Sequence, residues 1–241
     1  PENLHAAQRV LEAAGYRVHV AVAGDDDVAG GRPLCCGRTY LATGLLDDAR
    51  AEARRTLAAL APFVERGVAV VGLEPSCLLT MRDEYLVMGL GPLAQRLATQ
   101  AMLFEEFVAR EHAAGRFAPA FEALPQSTAL LHGHCHQKAF DAMGPVQRVL
   151  SLVPGLTVRT VESSCCGMAG SFGYEAEHYD HSMRMAELAL LPAVRGAPPQ
   201  AQIIASGTSC RHQIRDGAGR ESLHLAQLLN RLRAAPDGSA R

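Results

Sequence analysis

Apolar positions at helical spacing open the chain. Leu4, Ala7, Val10, Leu11 and Ala14 fall on one face of residues 3–14, and Gly15 follows as a natural stop. Residues 16–23 alternate apolar and polar side chains like a strand, and residues 24–33 form a polar, glycine-rich loop that delivers Cys35 and Cys36. The pattern over 47–65 predicts a long amphipathic helix. Residues 68–73 are a short apolar run, as expected of a parallel strand covered on both faces. Helices are predicted over 78–87 and 93–111, the second with Glu105 and Glu106 on its polar side. Residues 113–127, with Gly115, Pro119 and Pro125, read as a linker.

The order then repeats. Residues 128–131 predict a strand, and His132-Gly133-His134-Cys135-His136-Gln137-Lys138 turns into a helix that runs to about Val153 and stops at Pro154-Gly155. A strand over 156–161 leads to Cys165-Cys166, a helix covers 175–191, and a strand over 201–205 leads to Cys210. An amphipathic helix over 222–232 closes the pattern, and 234–241 reads as a frayed tail. Gln8-Arg9-Val10-Leu11 matches Gln147-Arg148-Val149-Leu150 at an offset of 139 residues (147 − 8). Together with the shared order of strand, Cys-Cys-Gly, helix, strand and Cys, this points to internal duplication. The expected fold is α/β, with two pseudo-repeated parallel βα halves at 1–112 and 128–233, joined by the linker. Ligands gather beyond the carboxyl ends of the strands in such sheets, so each half should collect its cysteines at one rim.

The 7 cysteines are all absorbed by this repeat. Cys35-Cys36-Gly37 and Cys165-Cys166-Gly167 are each followed by a lone cysteine, Cys77 and Cys210, and Cys135 precedes the second pair. Adjacent cysteines rarely reach the separation and torsion of a disulfide. They suit a multi-iron centre, where neighbouring thiolates bind different irons. Glycines beside them leave N–H groups unobstructed to donate to sulfur and stabilise an anionic cluster. Applying the offset to Cys135 lands before Pro1, so the first half has three thiols and the second has four. The opening at Pro1 rather than Met, almost directly into a helix, is read as a fragment with sequence missing upstream.

Composition narrows the setting. A chain of 241 residues with 48% hydrophobic content builds a core without disulfides. A net charge of -2 gives no reason to expect nucleic acid or an anionic membrane as partner. No apolar run approaches the ~20 residues of a transmembrane helix, and no signal-peptide pattern opens the chain. An odd cysteine count with two adjacent pairs argues against a secreted disulfide framework. The expected location is the cytoplasm, with peripheral association at the inner face of the membrane through partners.

With these residues in place, the chain resembles the cysteine-rich CCG domain, which occurs twice in one of the subunits of heterodisulfide reductase. It also occurs in the iron–sulfur subunit of glycolate oxidase and in lactate-utilisation proteins. Cys135-His136-Gln137-Lys138 and Cys165-Cys166-Gly167-Met168-Ala169-Gly170 look closest to the C-terminal region of FAD-linked D-2-hydroxyacid dehydrogenases of the D-lactate and D-2-hydroxyglutarate type. The resemblance implies an electron-transfer module. FAD on a partner domain or subunit, an FAD-linked oxidase, would supply electrons, and a quinone or other acceptor would take them.

The resemblance also implies a ligand set. In heterodisulfide reductase the full motif has one more cysteine, in a Cys-x-x-Cys pair. Here Gly207 and Gln213 stand three residues either side of Cys210, and Glu74 and Thr80 flank Cys77 likewise. Four thiolates, Cys135, Cys165, Cys166 and Cys210, therefore suit an ordinary four-ligand [4Fe-4S] cluster wrapped by Gly167. Cys35, Cys36 and Cys77 offer three thiolates, enough with one more donor for zinc. His134, His136, His212 and Glu74 are further candidate ligands. Lys138 is a candidate to steady a reduced cluster.

Gly167, Gly170 and Gly173 suit cluster wrapping better than phosphate binding, because a dinucleotide fingerprint needs Gly-x-Gly-x-x-Gly directly after a strand. Glu175 and Glu177 read as first-turn helix residues. No residue is assigned a catalytic role. Two other readings stay open: thiol/disulfide chemistry at the cluster, and a zinc-bound structural or docking module.

Overall fold

The computed structural model describes residues 1–24 and 31–234. Most of the expected loop at 24–33 and of the tail at 234–241 lies outside the described residues. The chain forms two compact units, one of Pro1–Val18 with Phe104–Arg241 and one of His19–Leu103. These units group residues in space, whereas the halves 1–112 and 128–233 describe a repeat of order along the chain.

The larger unit opens with α1 (Glu2–Ala13), whose buried stripe is Ala6, Ala7, Val10 and Leu11. Gly15, at φ 88°, takes the left-handed turn after it. Residues 16–23 are not a strand: none of the described strands pairs with them, and Val20 and Val22 are exposed. Alternation alone does not make a strand without a ladder partner.

The smaller unit carries α2 (Arg38–Ala42), α3 (Leu46–Val64), β1 (Val70–Gly72), α4 (Pro75–Arg82), α5 (Glu84–Val87), α6 (Pro92–Gln100) and β2 (Ala101–Leu103). The single helix expected over 93–111 is three elements. After α6 the apolar residues Ala101, Met102 and Leu103 pair in parallel with Val70, Val71 and Gly72, and a new helix begins at Phe104. A four-residue apolar run has no readable period, so pairing with β1 decides its conformation. α4 begins at Pro75, earlier than expected. Proline suits the first helical turn, where its missing N–H has no partner to lose.

The larger unit continues with α7 (Phe104–Ala113), β3 (Ser127–His132), α8 (Cys135–Ala139), α9 (Met143–Leu150) and β4 (Leu156–Thr160). α10 (Tyr179–Glu187), α11 (Leu190–Arg195), β5 (Gln202–Ala205), α12 (Thr208–Ala218) and α13 (Leu225–Leu232) complete it. The helix expected to run to Val153 breaks around Asp141, which has φ 53°. The helix expected from 175 starts instead as 3-10 turns at Phe172–Tyr174 and Ala176–His178. α12, which carries Cys210, was not expected as a helix.

The sheet of this unit is parallel, in the order β4-β3-β5. β3 is central, and its last four residues, Ala129 to His132, are buried. β4 lies at the edge and alternates half-buried Leu156, Val158 and Thr160 with exposed Thr157 and Arg159. α1 packs against α13, whose buried face is Leu225, Ala226, Leu228, Leu229 and Leu232. The molecule is therefore α/β with parallel strands in two sheets, as the hydrophobic pattern predicts.

Candidate metal centre

Strand register brings the larger cysteine group together. Leu131 of β3 lies opposite Thr160 of β4, and His132 opposite Ala205 of β5, so the three strands end level. The chain leaves all three on one rim. Cys135 then sits on the first turn of α8, Cys165 and Cys166 in the loop after β4, and Cys210 on the first turn of α12. Their sulfurs form a run of neighbours: Cys165 is within hydrogen-bonding reach of Cys135 and Cys166, and Cys166 of Cys210.

Four thiols this close share protons rather than all ionising. The neighbouring Cys135 and Cys166 thiols hold Cys165 well below the ordinary thiol range, and Cys166 does the same for Cys210. Cys135 and Cys166 are pushed up correspondingly, chiefly through their bonds to Cys165, with burial adding to the effect. All seven cysteines of the chain are free thiols.

The loop over 165–170 aims its backbone at sulfur. Gly167 N–H donates to Cys165 Sγ at 3.3 Å, and the nearby backbone of Ala169 adds to the lowering of that thiol's pKa. Gly167 has φ 93°, and a Cβ there would collide with Ser182 O, so glycine is required twice over. Ala169 is held at φ 41°, a left-handed conformation that alanine rarely adopts. Gln213 ties α12 to α10, its Nε2 donating to Ser182 O at 3.3 Å and to Ser182 Oγ at 3.0 Å, and Ser182 Oγ reaches Met168 Sδ of the loop at 3.8 Å. Lys138 is a clamp as well as a nearby charge. Its Nζ donates to the carbonyl of Ser163 and to that of Ser164 at 3.3 Å, and burial lowers its pKa.

Histidines surround the group in unequal roles. His134 caps α8: its Nδ1 accepts from His136 N–H at 3.1 Å, and its own N–H donates to Gln137 Oε1 at 2.9 Å. Gln137 Nε2 in turn donates to Glu105, a fully buried carboxyl that desolvation pushes up to about 7. His136 Nδ1 lies 3.5 Å from Cys135 Sγ. His212 is occupied elsewhere, its Nδ1 2.6 Å from the Tyr174 hydroxyl. A side chain at position 207, one of the two places where the resemblance would put a further cysteine, has no room. Its Cβ would fall on the His134 ring and 3.2 Å from Cys210 Sγ.

His132 was missed in the sequence. A nitrogen of its ring and the sulfurs of Cys166 and Cys210 all lie within 4.8 Å of one another, and all three residues are buried. The readable signal was its place at the end of an apolar strand that a parallel sheet covers on both faces.

The smaller group repeats the core of this design. Gly37 N–H donates to Cys35 Sγ at 3.4 Å. Gly37 has φ 79°, and a Cβ there would stand 2.6 Å from Ala49 O. Cys77 lies on the first turn of α4, just after β1. The thiols of Cys35, Cys36 and Cys77 again form a run of neighbours. The Cys77 thiol lowers Cys36 to about 7, Cys77 is pushed up by the same bond, and burial pushes Cys35 up. Glu74 precedes α4 and accepts from Ser76 Oγ at 3.0 Å. Glu175 and Glu177 stand at the short 3-10 turn Ala176–His178, with Glu175 beside His178.

The donor chemistry of both groups fits a thiolate-bound metal. Free sulfurs are gathered in hydrogen-bonding contact, backbone N–H groups point at them, and in the larger group a buried imidazole nitrogen, His132 Nε2, has no hydrogen-bond partner among the described residues.

No protein-family model matches the chain. It is similar to D-2-hydroxyglutarate dehydrogenase of Escherichia coli K12, at 28% identity over 200 residues, which are 80% of this chain and 18% of that protein. It is also similar to a subunit of anaerobic glycerol-3-phosphate dehydrogenase of the same organism, at 27% over 204 residues, 81% of this chain and 48% of that protein. D-2-hydroxyglutarate dehydrogenase of Pantoea ananatis matches at 28% over 184 residues, 73% and 17% of the two chains. The chain spans less than half the length of these curated relatives. Among the described residues, no helix is long and apolar enough to cross a membrane.

Proposed function

We propose that the chain is an iron–sulfur electron-transfer module of a flavin-linked D-2-hydroxyacid dehydrogenase, built from two CCG-type halves. The observation that carries this reading is the rim of β3, β4 and β5, where Cys135, Cys165, Cys166 and Cys210 meet as neighbours. These four thiolates would hold a [4Fe-4S] cluster, and Cys35, Cys36 and Cys77, with one further donor, would hold zinc. A bound cluster of this kind takes up and gives up single electrons.

The chain's own residues do the rest. The thiolates supply the negative ligands, the N–H of Gly167 donates to Cys165, and it and the backbone of Ala169 favour the anionic form of that thiol. Burial of Cys166 and Cys210 excludes water from one side of the site. Lys138 fixes the segment that leads into the cysteine pair. Electrons would arrive from FAD on a partner domain or subunit and leave to a quinone or similar acceptor. The similarity to two kinds of dehydrogenase component supports this placement.

The test is anaerobic reconstitution of the chain with ferrous iron and sulfide. The reading expects a brown protein with broad visible absorption and, after reduction, an EPR signal. A colourless protein that takes up stoichiometric zinc at both groups would replace it with a structural role.

A further inference from the structure

We infer that His132 supplies a nitrogen ligand, through Nε2, to the metal held by Cys166 and Cys210, so that the larger group is a site of four sulfurs and one nitrogen. This rests on reading that group as a metal centre, and it adds a donor that the cysteine pattern does not contain.

His132 is the last residue of the central strand and is 1% exposed. Its neighbours Cys166 and Cys210 belong to a core of apolar residues that includes Leu130, Val161, Ile203 and Ile214. A buried imidazole in such surroundings needs a partner for each nitrogen. Nδ1 has one, lying 3.0 Å from Ser163 Oγ. Nε2 has none among the described residues. With Nδ1 taken, Nε2 is the nitrogen left to face the two sulfurs that lie with it inside 4.8 Å.

The partners also accommodate the tautomer that ligation needs. Lys138 is a donor only, so Ser163 Oγ accepts from its Nζ at 3.4 Å. With a metal on Nε2 the ring proton sits on Nδ1, 3.0 Å from Ser163 Oγ, whose second lone pair can accept it. A hydrogen bond from the far nitrogen of this kind is the usual means of fixing a metal-binding imidazole. On a single zinc, nitrogen and sulfur bonds of roughly 2.0 and 2.3 Å place donors roughly 3.5–3.8 Å apart. The trio is close enough to reach that spacing by small side-chain movements. His134 differs on this point: its Nδ1 accepts a backbone N–H, so its Nε2 carries the proton.

The whole chain, labelled with 15N-histidine, is reconstituted anaerobically with ferrous iron and sulfide, and in parallel with zinc. In the reduced iron form, pulsed EPR should show a strongly coupled histidine nitrogen. The coupling should vanish in His132→Gln and persist in His136→Gln. His132→Cys should keep iron while losing the nitrogen signal, which separates lost ligation from lost folding. Iron and sulfide in the wild type without such a nitrogen, or with one that survives His132→Gln, overturn the inference and leave the iron–sulfur reading standing. If the wild type takes only zinc, the iron–sulfur reading falls, and X-ray absorption at the zinc edge decides the ligand. A nitrogen that His132→Gln removes supports the inference, and an unchanged shell overturns it. A wild type that holds neither metal overturns both.

Discussion

The two Cys-Cys-Gly turns share a backbone and differ in what surrounds it. In both, a left-handed glycine two residues after the first cysteine donates its N–H to that sulfur, at 3.4 Å for Gly37 and 3.3 Å for Gly167. In both, the lone cysteine sits on the first turn of the helix that follows a parallel strand. The larger group then adds Cys135, the His132 imidazole and two histidines that flank Cys135. The smaller group adds protein hydrogen bonds to the turn itself: Thr56 Oγ1 donates to Cys35 O at 2.7 Å and Tyr85 OH to Cys36 O at 3.0 Å. Both turns are tied through their backbone, the larger by Lys138 just before its cysteines, and the larger alone gathers an additional thiol and imidazoles. A shared local motif therefore fixes where two thiols go, while the elements packed around it decide how many ligands join them.

The largest effect should come from the glycine that both turns require. Gly167→Ala places a methyl group on Ser182 O and forces alanine to φ 93°. Left-handed strain alone costs on the order of 1–3 kcal/mol, and the clash adds to it. Urea unfolding of the metal-free chain should show a loss of at least that size, together with failed metal uptake at the larger group. Gly37→Ala should do the same at the smaller group, and wild-type stability in either variant would break the equivalence of the turns.

Next in size is the hydroxyl tie on the smaller turn. Tyr85 is fully buried, and its hydroxyl serves the Cys36 carbonyl. Tyr85→Phe leaves that carbonyl short of a partner and should cost about 1–3 kcal/mol by urea unfolding. Metal at the larger group should stay unchanged, and a parallel loss there would blur the distinction between the two.

Position 207 sharpens the comparison from the other side. Gly207→Cys supplies a further cysteine at one of the two places that the family pattern implies, but its Cβ meets the His134 ring. The variant should bind less metal than the wild type in a parallel iron assay, because His134 must leave its cap over α8. Increased iron with an intact fold would mean that the imidazole merely fills a vacant ligand position.

A further effect, confined to high pH, belongs to Glu105, the buried carboxyl behind Gln137. Its folded pKa is raised from 4.5 to about 7 by desolvation. Between those values the folded state binds the proton that the unfolded state has released, so stability falls as pH rises and the loss is complete above about 7. Glu105→Gln keeps an acceptor for Gln137 and has no charge to bury. It should unfold at higher urea than the wild type at pH 8 and at nearly the same urea at pH 5. Equal midpoints at pH 8 would show that the carboxylate is not penalised there.

The sequence carried the strands of the larger sheet and the grouping of its cysteines because both are local patterns. Apolar runs at 128–131, 156–161 and 201–205 end in cysteines, and a parallel sheet converts that order into one rim. β2 was hidden because Ala101-Met102-Leu103 is too short to show a period, and its conformation depends on pairing with Val70-Val71-Gly72. Residues 16–23 failed in the opposite sense, having the alternation of a strand without a neighbour. His132 was illegible for a different reason. Its role depends on Ser163 and Cys210, which are 31 and 78 (210 − 132) residues away and meet it only in the folded sheet.

The claim on which the rest depends is that thiolates distant in sequence converge on one metal centre in each group. Iron, sulfide and zinc analysis of anaerobically reconstituted wild type, Cys165→Ser and Cys35→Ser tests it most directly. Cys165→Ser should lose iron and sulfide while keeping zinc, and Cys35→Ser should lose zinc while keeping the iron–sulfur absorption. Unchanged metal content in both variants would contradict it.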